Sequence, residues 1–359
     1  MFCLPLVVLC YYQSHTQAFI KIADSIRKYR SVPGMVYAVF TDDKVIEMGT
    51  TGVRMLKARD SVHTGDRFEI GTNTSAFTAY LAARLAESGK LSWNTPVIKL
   101  FPEINGRSMK LYHRVTLEQF LSQRGGVKLY TEAGDFKNIP VLPGNYSEQR
   151  KAFVPVMLQQ PPMLILDSSK VFYSVASTAI AAAMMEKATG KPWEDLIEQY
   201  IGKPLNIVVR FGLPNLKDSL QPCGHWDQSG TLHAEPGNSW AHPIPAVVPA
   251  TDINISARDY MVFMQDFLKA LQHKRALISY ASAEELLFGF PGYAMGWEND
   301  LWRGMHTAYF LGKSDLFSSY VSIIKEKNIG IIVLCNSGAL GGRAAALNLG
   351  RLLRDYYAE

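Results

Sequence analysis

Two hydroxyls stand where an apolar strand end runs through a glycine into a helix. In Phe68-Glu69-Ile70-Gly71-Thr72-Asn73-Thr74-Ser75-Ala76-Phe77-Thr78-Ala79, Thr72 and Ser75 are three positions apart. Residues at that spacing share one helix face, so both side chains project into whatever cleft borders the helix start. The geometry suits a nucleophile and its proton acceptor, with one hydroxyl attacking and a neighbour taking its proton. Neither group is a base at neutral pH, so the pair needs a further residue to activate it. The bland alternative is a helix N-cap, since a threonine oxygen accepts well from the first free N–H groups of a helix.

Other chemistry-bearing residues are scattered. Ser25-Ile26-Arg27-Lys28 and Ser322-Ile323-Ile324-Lys325 both have Ser-x-x-Lys spacing. The first lies on the exposed face of an opening helix, and the second lies in a strand, where residues three apart point to opposite faces. Lys170, just ahead of Tyr173, could bring a cation to a cleft, although a solvated loop lysine is the commoner use of such a residue. His225, His233 and His242, with Asp227 nearby, have no helix-borne zinc spacing, so they read as loop or capping residues and the metal expectation is none.

The elements that must position these groups follow from periodicity. Apolar residues at Phe19, Ile20, Ala23, Ile26 and Tyr29 predict an opening helix, and Met35 to Phe40 and Val45 to Met48 flank a hairpin turn at Thr41-Asp42-Asp43-Lys44. A largely buried helix starts near Thr72 and stops at Gly89. Further helices are expected at Val115–Ser122, Ser147–Leu158, Ser177–Ala188 with Gly190 as its C-cap, Asp259–Gln272 and Arg343–Tyr357. Between Pro204 and Pro249 the pattern dissolves into Pro, Gly and His, as in a long segment bordering a cleft. Strands are expected at His306–Leu311, Leu316–Ile324 and Ile329–Cys335.

The 359 residues, 48% hydrophobic and 19% charged, suffice for one large or two intergrown domains. A net charge of +5, spread along the chain, argues against a nucleic-acid partner. Past the N-terminus no run approaches the ~20 apolar residues of a membrane helix. Residues 1–18 hold a short apolar run ending in Thr16-x-Ala18, read as an atypical signal peptide and hence a secreted or periplasmic location; no Lys or Arg precedes it, so a buried first element is the alternative. Four cysteines form neither a disulfide framework nor a metal spacing.

Several segments, in order, carry a family resemblance. Phe68-Glu69-Ile70-Gly71 with Phe77-Thr78-Ala79, Leu91-Ser92-Trp93-Asn94-Thr95-Pro96-Val97, Leu121-Ser122-Gln123-Arg124-Gly125-Gly126, Phe172-Tyr173-Ser174, Glu186 to Trp193, Asp252-Ile253-Asn254-Ile255-Ser256 and Gly330 to Ser337 together resemble the β-lactamase-related serine hydrolases, which include class C β-lactamases, DD-peptidases and related esterases. The resemblance implies an α/β (α+β) fold of the β-lactamase/transpeptidase type, an antiparallel sheet flanked by helices. It implies a sheet domain from 19–70 and 250–359, and a mainly helical domain from 71–249 that ends in the cleft-bordering segment.

The resemblance also implies three catalytic motifs, each altered here. Ser-x-x-Lys reads Thr72-Asn73-Thr74-Ser75, Tyr-x-Asn reads Tyr173-Ser174-Val175, and the strand motif, Lys-Thr-Gly or His-x-Gly in relatives, is assigned to His306-Thr307-Ala308. Thr72, Ser75, Tyr173 and His306 are thus the expected catalytic positions, with Val175, Ala308 and Lys170 lining the cleft. Gln123 stands where many relatives carry histidine. The expected function is a catalytically impaired family member retaining a cleft for a small-molecule or peptide ligand, without cofactor. The alternatives are an active amide or ester hydrolase using Thr72 as nucleophile and a structural or partner-binding domain.

Overall fold

The computed structural model describes residues 19–130, 139–163, 171–237 and 244–359. The apolar leader, Lys170 and His242 lie outside them. Its largest sheet has seven strands in the order β2-β1-β12-β11-β10-β9-β8, with β1 Gly34–Phe40, β2 Val45–Gly52, β8 Gly292–Tyr293, β9 Glu298–Trp302, β10 Met305–Lys313, β11 Ser318–Ile324 and β12 Ile329–Cys335. Every neighbouring pair is antiparallel. The central strands are buried on both faces, so β1 and β12 are nearly continuous apolar runs rather than alternating ones.

Alternation still sorts their side chains between two cores. Val36, Ala38, Phe40, Ile332 and Leu334 join the larger core, while Met35, Tyr37, Val39, Ile331, Val333 and Cys335 join the smaller. The smaller core is closed by a helix at 19–29 (α1), through Phe19 and Ala23, and by the last helix, through Ala345, Ala346, Leu349 and Leu353. The larger is covered by helices from the middle of the chain: α2 Thr74–Glu87, α3 Leu117–Leu121, α4 Tyr146–Leu158, α5 Val175–Thr189, α6 Ala257–Leu271 and α7 Tyr280–Phe288; the last helix, α8, spans Leu340–Tyr357. Helices therefore lie on both faces of an antiparallel sheet, the expected fold class.

Two devices fix the helices that matter for the site. Phe77 of α2 stacks on Phe263 of α6, ring centroids 3.7 Å apart, and the Tyr80 hydroxyl donates to Asp266. Arg150 of α4 is fully buried and holds Glu186 of α5 and Glu194 beyond it, with Nη2 distances of 2.7 and 2.6 Å.

The segment read as irregular between Pro204 and Pro249 contains strands. β4 Arg210–Phe211 joins β7 Ile253–Ser256 and β3 Arg67–Glu69 in a second small sheet, ordered β3-β7-β4. β5 Gly224–Gln228 and β6 Thr231–Glu235 form a hairpin about Ser229-Gly230, both at positive φ (52° and 86°), the geometry of a tight two-residue turn. Strands this short, between prolines and glycines, leave little alternation to read.

Candidate functional site

The site forms where β3 runs into α2. Leaving the strand, Ile70 N donates to Ile253 O at 2.9 Å, and the chain turns through Gly71 at φ +56° into a single 3-10 turn, Gly71–Asn73. That turn is pressed against the far end of β10. A Cβ on Gly71 would lie 2.3 Å from Lys313 O, and one on Gly312 would lie 2.4 Å from Ile70 O. Only two glycines let these backbones approach so closely. The contact is fastened by Ser319 Oγ donating to Ile70 O and Asn73 Nδ2 donating to Ser319 Oγ, both at 2.8 Å.

Thr72 is not the helix cap. Its Oγ1 accepts from Lys313 N at 3.2 Å, across the gap to β10, while α2 takes Asn73 as N-cap without a side-chain cap bond. One turn on, Ser75 Oγ lies 2.6 Å from the Tyr173 hydroxyl and 3.5 Å from Thr178 Oγ1. Tyr173 makes a long 3.5 Å contact to Thr72 O. Behind Thr178 stands Gln123, in the left-handed region at φ 62°, with Nε2 donating to Thr178 Oγ1 (3.3 Å) and Oε1 accepting from Ser174 N (3.0 Å). Thr72, Ser75 and Tyr173 thus come together as expected, although 98 positions separate Ser75 from Tyr173.

This cluster is a neutral hydroxyl and amide network. Burial raises the Tyr173 phenol above its ordinary range, against a smaller lowering by Ser75, so it stays protonated at neutral pH. Whichever of Ser75 and Tyr173 donates in their short bond, neither can serve as a base there. Val175, buried at the start of α5, adds only an aliphatic surface.

The structure does not bring His306 to the site. It sits near the opposite end of β10, half exposed, with Nδ1 2.6 Å from Glu326 Oε1 and its backbone N–H donating to Glu326 Oε2. Gly312 is six residue steps further along the strand, about 20 Å at the usual rise. Ala308 is buried four residues short of Gly312, paired with Asn299 and Ile323. The residues of β10 beside the turn are Phe310-Leu311-Gly312, not His306-Thr307-Ala308. The signal for this register is Gly312, whose missing side chain permits the close approach, and not the histidine at 306.

Phe310 shares the Gly312 face of β10 and is buried. Its ring centroid is 5.6 Å from Tyr173 and 6.0 Å from Tyr293, which are themselves 6.0 Å apart. Arg124 anchors this group from outside: Nη1 donates to Ser122 O (2.8 Å) and Tyr293 O (2.9 Å), and the guanidinium lies over the Phe290 ring.

Below the turn two carboxyl groups are buried. Glu69 Oε2 accepts from Ser314 Oγ at 2.9 Å, next to Lys313, and Asp252 caps the approach to β7. Burial, with the Asp252 charge added, raises Glu69 well above the carboxylate range; burial, with the Glu194 charge added, raises Asp252 to about 7. The folded state therefore keeps a proton that the unfolded chain releases near pH 4. Stability from this pair is full below that value and is lost as pH rises toward 7, at up to about 1.4 kcal/mol per pH unit. Urea midpoints measured from pH 4 to 8 are expected to fall more steeply for the wild type than for Asp252→Asn; equal slopes would refute the assignment.

The remaining candidates are structural. His225 is buried, with Nδ1 2.6 Å from Asn336 O and Nε2 accepting from Leu56 N at 3.0 Å, and the His233 ring lies tilted against Trp226, centroids 5.1 Å apart. Lys28 of the first Ser-x-x-Lys match pairs with Asp24, and Lys325 of the second with Glu284. Among the described residues no group of three or more His, Cys, Asp or Glu could hold a metal, and no helix is long and apolar enough to cross a membrane.

Comparison with known proteins places this geometry in context. A family model described as Beta-lactamase matches residues 19–355. Penicillin-binding protein 4 of Amycolatopsis lactamdurans is 25% identical over 333 residues, covering 88% of this chain and 84% of that protein. Protein flp of Staphylococcus aureus (strain COL) is 23% identical over 309 residues; the match takes in 85% of this chain but only 60% of flp. Among solved structures, the octameric penicillin-binding protein homologue from Pyrococcus abyssi superposes with a TM-score of 0.77 at 23% identity, covering 94% of this chain and 77% of that one. A class C beta lactamase from Rhodobacter sphaeroides gives 0.72 at 17% identity, covering 93% and 98%. At these identities the structural likeness shows the fold alone.

Proposed function

Because this chain belongs to the beta-lactamase family, we propose that it keeps that fold's cleft for a small-molecule or peptide ligand while its hydrolysis is lost or strongly weakened. One observation carries the reading. Where relatives place the lysine of Ser-x-x-Lys, this chain places Ser75, 2.6 Å from a phenol that remains protonated. The groups that contact Thr72 are the Lys313 backbone N–H and the Tyr173 hydroxyl, neither of them a base, and loss of a positioned base costs about 10²–10⁴-fold in rate. Thr72 adds a β-branched, more crowded hydroxyl, already engaged with Lys313 N.

That same Lys313 N–H is the observation favouring residual activity. It is a backbone donor aimed at the hydroxyl, of the kind that steadies a developing oxyanion. The deciding experiment exposes purified protein to labelled penicillin, a fluorophosphonate and a panel of nitrophenyl esters, and compares wild type with Thr72→Ala. Equal, background-level labelling and turnover are expected. Turnover or labelling that disappears in the variant would establish an active hydrolase with Thr72 as its nucleophile.

A further inference from the structure

Building on the reading of the cleft as a ligand site, we propose that Phe310 makes it selective for uncharged acyl compounds, esters and amides bearing an aryl or alkyl group, over carboxylates. Phe310 lies two residues before Gly312 on the same strand face, so its ring stands beside the Thr72 turn. With Tyr173 and Tyr293 it forms a packed wall of three rings, tilted against one another at 51°, 65° and 65°. Ring faces carry negative potential, and an anion brought against them loses its hydration without a partner.

Among the described residues the cations on the bordering elements are turned to other partners, Lys128 Nζ lying over the Tyr130 ring. Arg124 is committed to the Ser122 and Tyr293 carbonyls and to the Phe290 ring. Strand alternation sends the Lys313 side chain to the face opposite Phe310 and Gly312. Val175 extends the apolar surface.

What the site does offer is hydrogen-bond donation to a neutral acceptor. Lys313 N reaches Thr72 Oγ1 at 3.2 Å, and the Tyr173 hydroxyl, 3.5 Å from Thr72 O, has its proton for a ligand when Ser75 Oγ is the donor in their 2.6 Å bond. The 3.5 Å contact is long enough for a ligand carbonyl to replace at little cost, while a carbonyl at Lys313 N exchanges one ordinary hydrogen bond for another. An ester or amide carbonyl between these donors would lay its apolar substituent against Tyr173, the partly exposed ring of the wall, with Phe310 and Tyr293 buried behind it.

The test uses a probe pair differing by one charge, N-benzoylglycine and its methyl ester, titrated calorimetrically into the full chain. The wild type is expected to bind the ester at least about tenfold more tightly than the acid. In Phe310→Lys the preference should reverse, with circular dichroism confirming the fold. Phe310→His supplies a second readout: its affinity for the acid should rise as pH falls through about 6.5 and the imidazole gains its proton. Wild-type binding of the acid as tightly as the ester, or ratios unchanged in both variants, would overturn the role of Phe310. Failure of wild type and variants alike to bind either probe would remove the ligand-cleft reading itself, and this proposal with it.

Discussion

A variant carrying Thr72→Ser, Ser75→Lys, Val175→Asn and Phe310→His is expected to be acylated by a labelled penicillin or a fluorophosphonate about 10²–10⁴ times faster than the wild type. The size follows from what position 75 lacks. A lysine there would enter a buried site beside the Tyr173 hydroxyl, where desolvation lowers an amine's pKa and leaves a neutral nitrogen able to accept the nucleophile's proton. Serine at 72 removes the γ-methyl and its χ1 restriction. The measurement is the labelling rate followed by intact mass. A control separates the two placements of the strand motif. Ala308→Gly in place of Phe310→His should add nothing to the other three changes, since Ala308 lies four residues from the contact with the turn. No gain in the full variant would mean that the cleft, and not only its motifs, has changed.

Arg150→Ala is expected to destabilise the protein by about 3–5 kcal/mol, the usual consequence of removing one partner from a buried ion pair. Glu186 Oε1 accepts from Arg150 Nε (3.1 Å) and Nη2 (2.7 Å) and from Trp193 N (2.7 Å), all inside the protein. Without the guanidinium that carboxylate must stay buried and unpaired or take up a proton, and burial already raises its pKa. Urea unfolding at pH 7 checks the magnitude. The double change Arg150→Met, Glu186→Leu should recover part of the loss, because it removes the fully buried Glu186 charge with its partner and leaves only the partly exposed Glu194 without Arg150. A single-variant effect below about 1 kcal/mol would show that water reaches the pair. The consequence extends to the cleft, since Val175 and Thr178 lie on the first turn of the helix that ends near Glu186.

How far the sequence discloses the site depends on where each contact comes from. The Thr72 turn is legible because a glycine between an apolar strand end and a buried helix is a local signal. The central strands are legible because burial on both faces leaves unbroken apolar runs at Met35–Phe40 and Ile329–Cys335. Tyr173 could be placed only through family resemblance, as nothing local joins it to Ser75. The register of β10 was the failure. A strand's alternation says which residues share a face but not which of them meets a turn some 240 positions earlier, and His306, Ala308, Phe310 and Gly312 all satisfy the same parity. The small hairpin and β8–β9 were missed because each strand is too short to establish a period.

The pairing of β1 with β12 has a consequence for synthesis. Gly34 N bonds to Asn336 Oδ1 across 302 positions, and the same asparagine amide reaches the carbonyls of Val53 and Arg54. During translation the β1–β2 hairpin emerges early and must wait, one edge unsatisfied, while nearly 300 further residues are added. At roughly 5–20 residues per second that delay is on the order of tens of seconds. Closing so large a loop is slow even afterwards, because its entropy is lost before any ladder bond compensates. The nascent chain thus carries the apolar edge at Met35–Phe40 unpaired until β12 has been made.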